Sequence, residues 1–367
     1  MAKTKGGPSM TLSAPLPTPQ TSTASRGLRL APQPPFPCLQ LSESLPLLHG
    51  GHLDRPRLAY ELSGPAGAPV VLVLGGISSH RHVTATPSDP SPGWWQAMVG
   101  PGCAIDTRRF RVLGFDFLGG NGDSTGPRNQ PAFDHGIATV DQAQAIVRLL
   151  DTLRIDRLAA VVGASYGGMV SLALATLYPQ RLGCLVAISA GHKSHPRSTA
   201  WRSVQRKIVR LAQRSGAASE GLSLARGLAM TTYRSPTELD QRFGHGAPCP
   251  PRRTHDVQDG FRFAIDDYLE ARGADFAECF DPTAFLCLSE SLDLHRLEPA
   301  NIRVPTTLVG VRSDPLVPVG HLRELADILG QRGRLVEIES LYGHDAFLKE
   351  IETLGPLVRA ELDREIL

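Results

Sequence analysis

Six cysteines in 367 residues, with no Cys-x-x-Cys pair, are too few and too scattered for a disulfide framework or a structural zinc site. No stretch approaches the roughly 18 consecutive apolar residues that a membrane-spanning helix needs. An excess of one charge is missing too: 38 Lys and Arg stand against 36 Asp and Glu, a net +2. A nucleic-acid partner would want a strongly basic face, so that class has no support. Hydrophobic residues, at 41%, are enough for a sizeable core, and charged residues, at 20%, are too few for a disordered chain. These balances predict a soluble, cytoplasmic protein with neither a membrane nor a nucleic-acid partner. The length suits two domains, or one large α/β domain carrying an insertion.

The 30 prolines are unevenly placed. Residues 1–40 are mostly Ser, Thr, Pro, Gly and Gln, which bury too little apolar area to offset the entropy of ordering, so a disordered arm is expected there. Lys3 and Lys5 are not followed by an apolar segment, so the arm does not read as a secretory signal, and Met10 offers an alternative start. Cys38 falls in or beside this arm.

Beyond the arm, short apolar runs recur at 57–62, 69–74, 111–117, 158–163, 182–189, 304–311 and 334–338. Several are solid Val, Leu and Ile rather than alternating, as expected of strands covered on both faces. Helical patterns lie between them. Asp141 is placed to cap a helix over 142–153, with Ala145, Ile146, Leu149 and Leu150 on one face. Residues 167–177 read as another helix, ending near Pro179. This alternation predicts a mainly parallel, doubly wound α/β sheet. Residues 191–300 differ: they show helical patterns at 199–214, 220–231, 235–243 and 261–272 and almost no strand runs. They read as a helical lid inserted into a catalytic domain made of 41–190 and 301–367.

The strongest chemical signal is Gly163-Ala164-Ser165-Tyr166-Gly167, a Gly-x-Ser-x-Gly at the end of an apolar run and the start of a helix. Small residues there permit the sharp turn that projects a serine hydroxyl, which is the nucleophile elbow. A serine is a weak nucleophile and needs a base, and the base needs an orienting group. In this fold they follow in the order Ser, Asp, His. Asp314 comes just after the 304–311 run, and His344 lies in a loop after the last one. Oxyanion donors are expected from the backbone of Tyr166 and from the loop around Gly76, Ile77 and Ser78. Cys103, Cys184, Cys249, Cys279 and Cys287 lie off any elbow and read as packing or surface. Trp94-Trp95 reads as a packing anchor. His80 and His82 have no third ligand in the sequence, so no metal is expected.

Several further blocks occur in order: Gly93-Trp94-Trp95, Gly100-Pro101-Gly102, Ile105-Asp106-Thr107, Leu118-Gly119-Gly120, Ser124-Thr125-Gly126-Pro127, Val204-Gln205-Arg206, Thr232-Tyr233-Arg234-Ser235, Phe280-Asp281 and Tyr342-Gly343-His344-Asp345-Ala346-Phe347. With the elbow and Ser313-Asp314, they resemble the homoserine O-acyltransferase family of the α/β-hydrolase superfamily, from about residue 45 to the C-terminus. The resemblance implies a ping-pong transfer of an acyl group from acetyl-CoA or succinyl-CoA to L-homoserine, a step of methionine biosynthesis. Ser165 would be the nucleophile, His344 the base and Asp314 its orienter, with Tyr166 and Ile77 as oxyanion donors. Arg206 matches the arginine that meets the amino-acid carboxylate, a task suited to a guanidinium. Tyr233, Asp345 and Ser78 match further substrate-contacting positions. A homodimer through the lid helices is also implied, and acyl-CoA is a cosubstrate rather than a resident cofactor.

The chain departs from the family pattern in its oxyanion loop, Gly75-Gly76-Ile77-Ser78-Ser79-His80-Arg81-His82, where Ser78 replaces the usual Thr. It departs again at Asn121-Gly122-Asp123 and in the Ala and Tyr of its elbow. These positions surround the acyl pocket. A succinyl donor carries an extra carboxylate, for which Arg81 is a candidate cation. Serine as acceptor, or water in an esterase or thioesterase, remains an alternative on the same three residues.

Overall fold

A computed structural model describes residues 37–130, 133–244, 246 and 261–366. Most of the expected arm lies outside the described residues, but its boundary at 40 is too late: Cys38–Gln40 form the first strand, β1, and pair antiparallel with the strand Arg57–Ser63. Two short pairs were not anticipated, because strands of two residues carry no period. They are β2 (Leu45–Pro46) with β3 (His52–Leu53), and β6 (Val99–Gly100) with β7 (Ile105–Asp106).

The seven apolar runs are all strands: β4 (Arg57–Ser63), β5 (Val70–Leu74), β8 (Arg111–Phe115), β9 (Leu158–Ala164), β10 (Leu182–Ile188), β11 (Thr306–Val311) and β12 (Gly333–Ile338). They join β1 in one sheet of order β1-β4-β8-β5-β9-β10-β11-β12. It is parallel from β8 to β12, with β1 and β4 antiparallel at one edge.

The solid apolar runs have a direct cause. In β5, Val70, Leu72 and Leu74 pack with the helices α1 (Thr139–Thr152) and α2 (Tyr166–Leu177). Val71 and Val73 point the other way, into a core with Trp95, Met98 and the C-terminal helix. Each buried side chain of this kind contributes about 1.5–3 kcal/mol. Asp141 is not the cap of α1, which starts earlier. It sits in the first turn, fully buried, and accepts from the N–H groups of Ala138 and Leu48 at 2.7 and 2.8 Å.

Between β10 and β11 the described residues form five α-helices: α3 (Pro196–Arg214), α4 (Ala218–Tyr233), α5 (Pro236–Phe243), α6 (Ala264–Cys279) and α7 (Pro282–Leu294). Four match the sequence reading within a few residues, except that α6 runs seven residues further than the pattern at 261–272. The fifth, α7, was missed although Asp281-Pro282 is a start signal: Asp281 caps it by accepting from the N–H groups of Thr283 and Ala284. After β11 come α8 (Val319–Leu329), α9 (Ala346–Lys349) and α10 (Ile351–Ile366).

The approach of α2 to β5 sets the tolerance of the centre. The Gly167 N–H donates to the Gly75 carbonyl at 2.7 Å, and a Cβ on Gly167 would lie 2.4 Å from the Leu74 carbonyl carbon. Gly167→Ala should therefore lower unfolding stability by more than about 2 kcal/mol, because backbone must shift. A denaturant titration with an unchanged midpoint would contradict this packing.

Candidate active site

Ser165 sits between β9 and α2 with φ +54°, in the left-handed region that a non-glycine residue avoids. The turn closes because neighbours give way. A Cβ on Gly163 would lie 2.3 Å from the Ser171 hydroxyl, so only glycine fits there. The Ser165 N–H is held by the Ile188 carbonyl of β10 at 2.9 Å.

His344 Nε2 lies 2.7 Å from Ser165 Oγ, and His344 Nδ1 lies 2.7 Å from Asp314 Oδ2. Asp314 follows β11, and its Oδ1 accepts from the N–H groups of Leu316 and Val317 at 2.8 and 3.1 Å. That grip fixes the carboxylate, which in turn fixes the imidazole tautomer with Nδ1 protonated. Burial works against the imidazolium, but the charge of Asp314 and its hydrogen bond outweigh burial and hold the His344 pKa above the usual imidazole value. The chain can move a proton from Oγ to Nε2 and back, as nucleophilic acyl transfer requires.

Ser165 and His344 open onto a cavity of about 140 Å³, well beyond the 10–15 Å³ or so that one water needs. Ile77 and Ser78 line it beside Ser165. They occupy the tip of a turn closed by the Ser79 N–H on the Gly76 carbonyl at 2.9 Å. Tyr166 opens α2, so its N–H is among the first-turn donors without an intrahelical acceptor. The two places expected to supply oxyanion donors, the start of α2 and the loop at Ile77 and Ser78, therefore both lie beside Ser165. Tyr233 and Asp345 also line the cavity, with the Tyr233 ring 6.0 Å from that of His344.

A family model for the alpha/beta hydrolase fold matches residues 69–351. The chain is 43% identical over 353 residues to a homoserine O-succinyltransferase of Xanthomonas campestris pv. campestris, covering 96% of this chain and 90% of that one. It is 36% identical to a serine O-succinyltransferase of Stenotrophomonas maltophilia, covering 88% and 96%. The chain belongs to the homoserine and serine O-acyltransferases of the α/β-hydrolase fold. Among solved structures, a homoserine O-acetyltransferase from Staphylococcus aureus superimposes with a TM-score of 0.75 at 27% identity, covering 89% of this chain and 94% of that one. One from Bacillus anthracis has a TM-score of 0.80 at 20% identity, covering 90% and 98%, which speaks to fold alone. Among the described residues no helix is long and apolar enough to cross a membrane.

Two residues expected in this acyltransferase's site lie elsewhere. Arg81 is buried and ion-paired to Asp116 and to Asp123, away from the cavity lining. It braces the loop after β5 rather than facing an acyl group. Arg206 also stands back from the lining. Its Nη1 donates to the Ser289 carbonyl at 2.9 Å, to Ser289 Oγ at 3.1 Å and to Asp293 Oδ2 at 2.6 Å. The neighbouring Arg202 is buried, lines the cavity and pairs with Asp293 Oδ1 at 2.6 Å.

Sequence reasoning also missed Arg226. It lines the cavity from α4, with its guanidinium 5.0 Å from the Tyr233 ring centre and 4.6 Å from that of Phe276. Its Nε is buried with no hydrogen-bond partner among the described residues. The available signal was spacing: Arg226 and Tyr233 lie seven apart on one helix and therefore share a face. Nearby, Asp345 is paired with Arg234 at 3.4 Å. Burial raises the Asp345 carboxyl above the usual range, while Arg234 opposes the rise.

The working form of His344 is neutral, so activity should fall as pH drops through its raised pKa. The acid limb of kcat/KM is expected above pH 6.5 or so. Asp314→Asn removes the charge that raises it. The limb should then move to lower pH, with kcat down by about 10³–10⁴-fold. A limb that stays in place would show that His344 does not set it.

Proposed function

We propose that the protein transfers an acyl group, with succinyl favoured over acetyl, from acyl-CoA to the side-chain hydroxyl of L-homoserine, as a step of methionine biosynthesis. Ser165 Oγ attacks the thioester carbonyl while His344 Nε2 takes its proton, and the N–H groups of Tyr166 and Ile77 receive the oxyanion. The thiolate of CoA leaves with that proton. The homoserine hydroxyl then gives its proton to His344 and attacks the acyl-serine, and Ser165 Oγ leaves reprotonated.

One observation carries this reading over plain hydrolysis. The hydrogen-bonded chain of Ser165, His344 and Asp314 opens onto a cavity whose walls also hold a cation, Arg226, and an anion, Asp345. A carboxylate and an ammonium on one small molecule need that pair, whereas water does not. Arg226 thus takes the part that the sequence suggested for Arg206, with Tyr233 beneath its guanidinium. The 43% identity to a homoserine O-succinyltransferase supports homoserine as acceptor and succinyl as donor.

The lid also presents Val204 and Leu211, seven apart on α3, and Leu224 on α4 as exposed apolar side chains. A second copy of the chain packing lid to lid would cover them.

The deciding measurement is a matrix of acetyl-, propionyl- and succinyl-CoA against L-homoserine and L-serine, read by mass spectrometry of the O-acyl product. CoA release should depend on homoserine. Release indifferent to either amino acid, with no O-acyl product, would overturn the proposal in favour of a hydrolase. Ser165→Ala should cut turnover by several powers of ten. Arg226→Leu should raise the homoserine KM about 30-fold or more, since it strips a buried charge-assisted contact.

A further inference from the structure

The loop after β5 carries Ile77 and Ser78 to the cavity wall and then reaches Arg81 and His82. Arg81 is tied to Asp116 and Asp123, and a guanidinium keeps its charge at any working pH. His82 is the anchor that can titrate. It is buried, with Nδ1 2.9 Å from Glu61 Oε2 of β4 and Nε2 2.8 Å from the Ser91 carbonyl oxygen. A carbonyl oxygen only accepts, and so does an ionised carboxylate. A neutral imidazole has one N–H and can answer one of them, whereas an imidazolium answers both.

The charges around the ring point the same way. Asp89 Oδ2 lies 3.9 Å from His82 Nε2, buried and with no hydrogen-bond partner among the described residues. Its Oδ1 accepts from the Ser91 N–H and hydroxyl at 3.0 and 2.6 Å, and Glu61 Oε1 accepts from the Thr86 hydroxyl at 3.2 Å. Among the described residues, His82 is the one basic group that pairs with either carboxylate. Two buried carboxylates with no cation between them would be costly. From its own loop the ring meets Arg81, whose charge Asp116 and Asp123 answer, and His80, whose Nδ1 accepts from the His82 N–H at 3.2 Å. Burial works against the imidazolium, but the Ser91 carbonyl, Glu61 and Asp89 outweigh it and hold the His82 pKa above the usual imidazole value. The same stretch is tied to Trp94, whose N–H donates to the His82 carbonyl at 3.2 Å and whose Nε1 donates to the His80 carbonyl at 3.0 Å.

We propose that His82, as an imidazolium gripped by Glu61 and the Ser91 carbonyl, positions the oxyanion loop, and that loss of its proton to solvent slackens the loop and turns acyl transfer off at alkaline pH. His82 is then a positioning residue that acts through Ile77. The inference rests on the acyl-transfer reading above, in which the Ile77 N–H receives the oxyanion. Neutral His82 leaves either Glu61 or the Ser91 carbonyl without its donor. The grip is therefore complete below about pH 6.5 and is lost as pH rises through the raised His82 value.

The test reads the burst of CoA released from succinyl-CoA or acetyl-CoA without homoserine, between about pH 6 and 9.5, so that ionisation of the amino acid does not enter. The wild-type burst rate should fall on the alkaline side and recover on return to neutral pH. Glu61→Gln keeps the shape and removes the charge that holds the proton. Its alkaline limb should move down by about one pH unit or more, with the acid limb of His344 in place. His82→Gln should lose the alkaline limb and release CoA about 10-fold more slowly, because the loop is never gripped. A merely structural role would reduce the burst amplitude and leave both limbs where they are. That outcome, or a wild-type rate flat up to about pH 9.5, overturns the proposal. If neither variant folds, ring NMR of the wild-type histidines decides. A ring that titrates together with the alkaline limb supports the proposal, and a limb with no histidine titrating beside it refutes it. Failure of the underlying reading looks different: wild type would then release no burst of CoA at any pH.

Discussion

The left-handed backbone of Ser165 is the constraint around which the rest of the molecule is arranged. Holding a non-glycine residue there costs on the order of 1–3 kcal/mol, and it persists only where the surroundings over-determine it. Here they do. β9 lies between β5 and β10, the Ser165 N–H is taken by Ile188, the Gly167 N–H is taken by Gly75, and α2 is buried along nearly its whole length. The Tyr166 side chain extends the grip. Its ring meets Phe117 edge to face, and its hydroxyl reaches Gln142 of α1 and Ser291 of α7. Core packing and site geometry are therefore one problem, since whatever loosens α2 also moves the hydroxyl.

A near-neutral chain manages its buried charges locally. Asp314 is answered by two backbone N–H groups and His344, Asp345 by Arg234, and Asp116 by Arg81. Arg226 and the cluster of Arg202, Arg206 and Asp293 break this pattern. The first lies on aromatic faces, and the second has two cations on one anion. Both exceptions face or back the same cavity. Net charge reports the averages and hides such local imbalance, where ligand charge can enter.

The sheet was legible because a strand covered on both faces prints as a solid apolar run, and α2 was legible because it begins at the elbow. The short pairs β2–β3 and β6–β7 carry too few residues to show a period. Ser165, Asp314 and His344 were found because their positions follow from where strands end, which is a property of chain order. Arg81 was misread because nothing local announces a partner 35 residues away: its counter-charge, Asp116, lies after β8. Asp141 was read one turn too late for the converse reason. Its hydrogen bond to Leu48 spans 93 residues, and tertiary contact fixes its place in the first turn.

The position of Arg206 behind the cavity lining has a more general cause. Arg202 and Arg206 are four apart on α3 and share a face, so a motif identifies the face and leaves the turn undecided. What separates them is α7, whose Asp293 draws both toward itself and leaves only Arg202 at the cavity wall. The division that results is physical. Ser165, Ile77, Asp314 and His344 stand on the ends of sheet strands or the loops that follow them, while Arg202, Arg226 and Tyr233 stand on helices between β10 and β11. The hydrogen-bonded chain is thus set by the sheet, and the charges that line the cavity wall are set by how α3, α4 and α7 pack together.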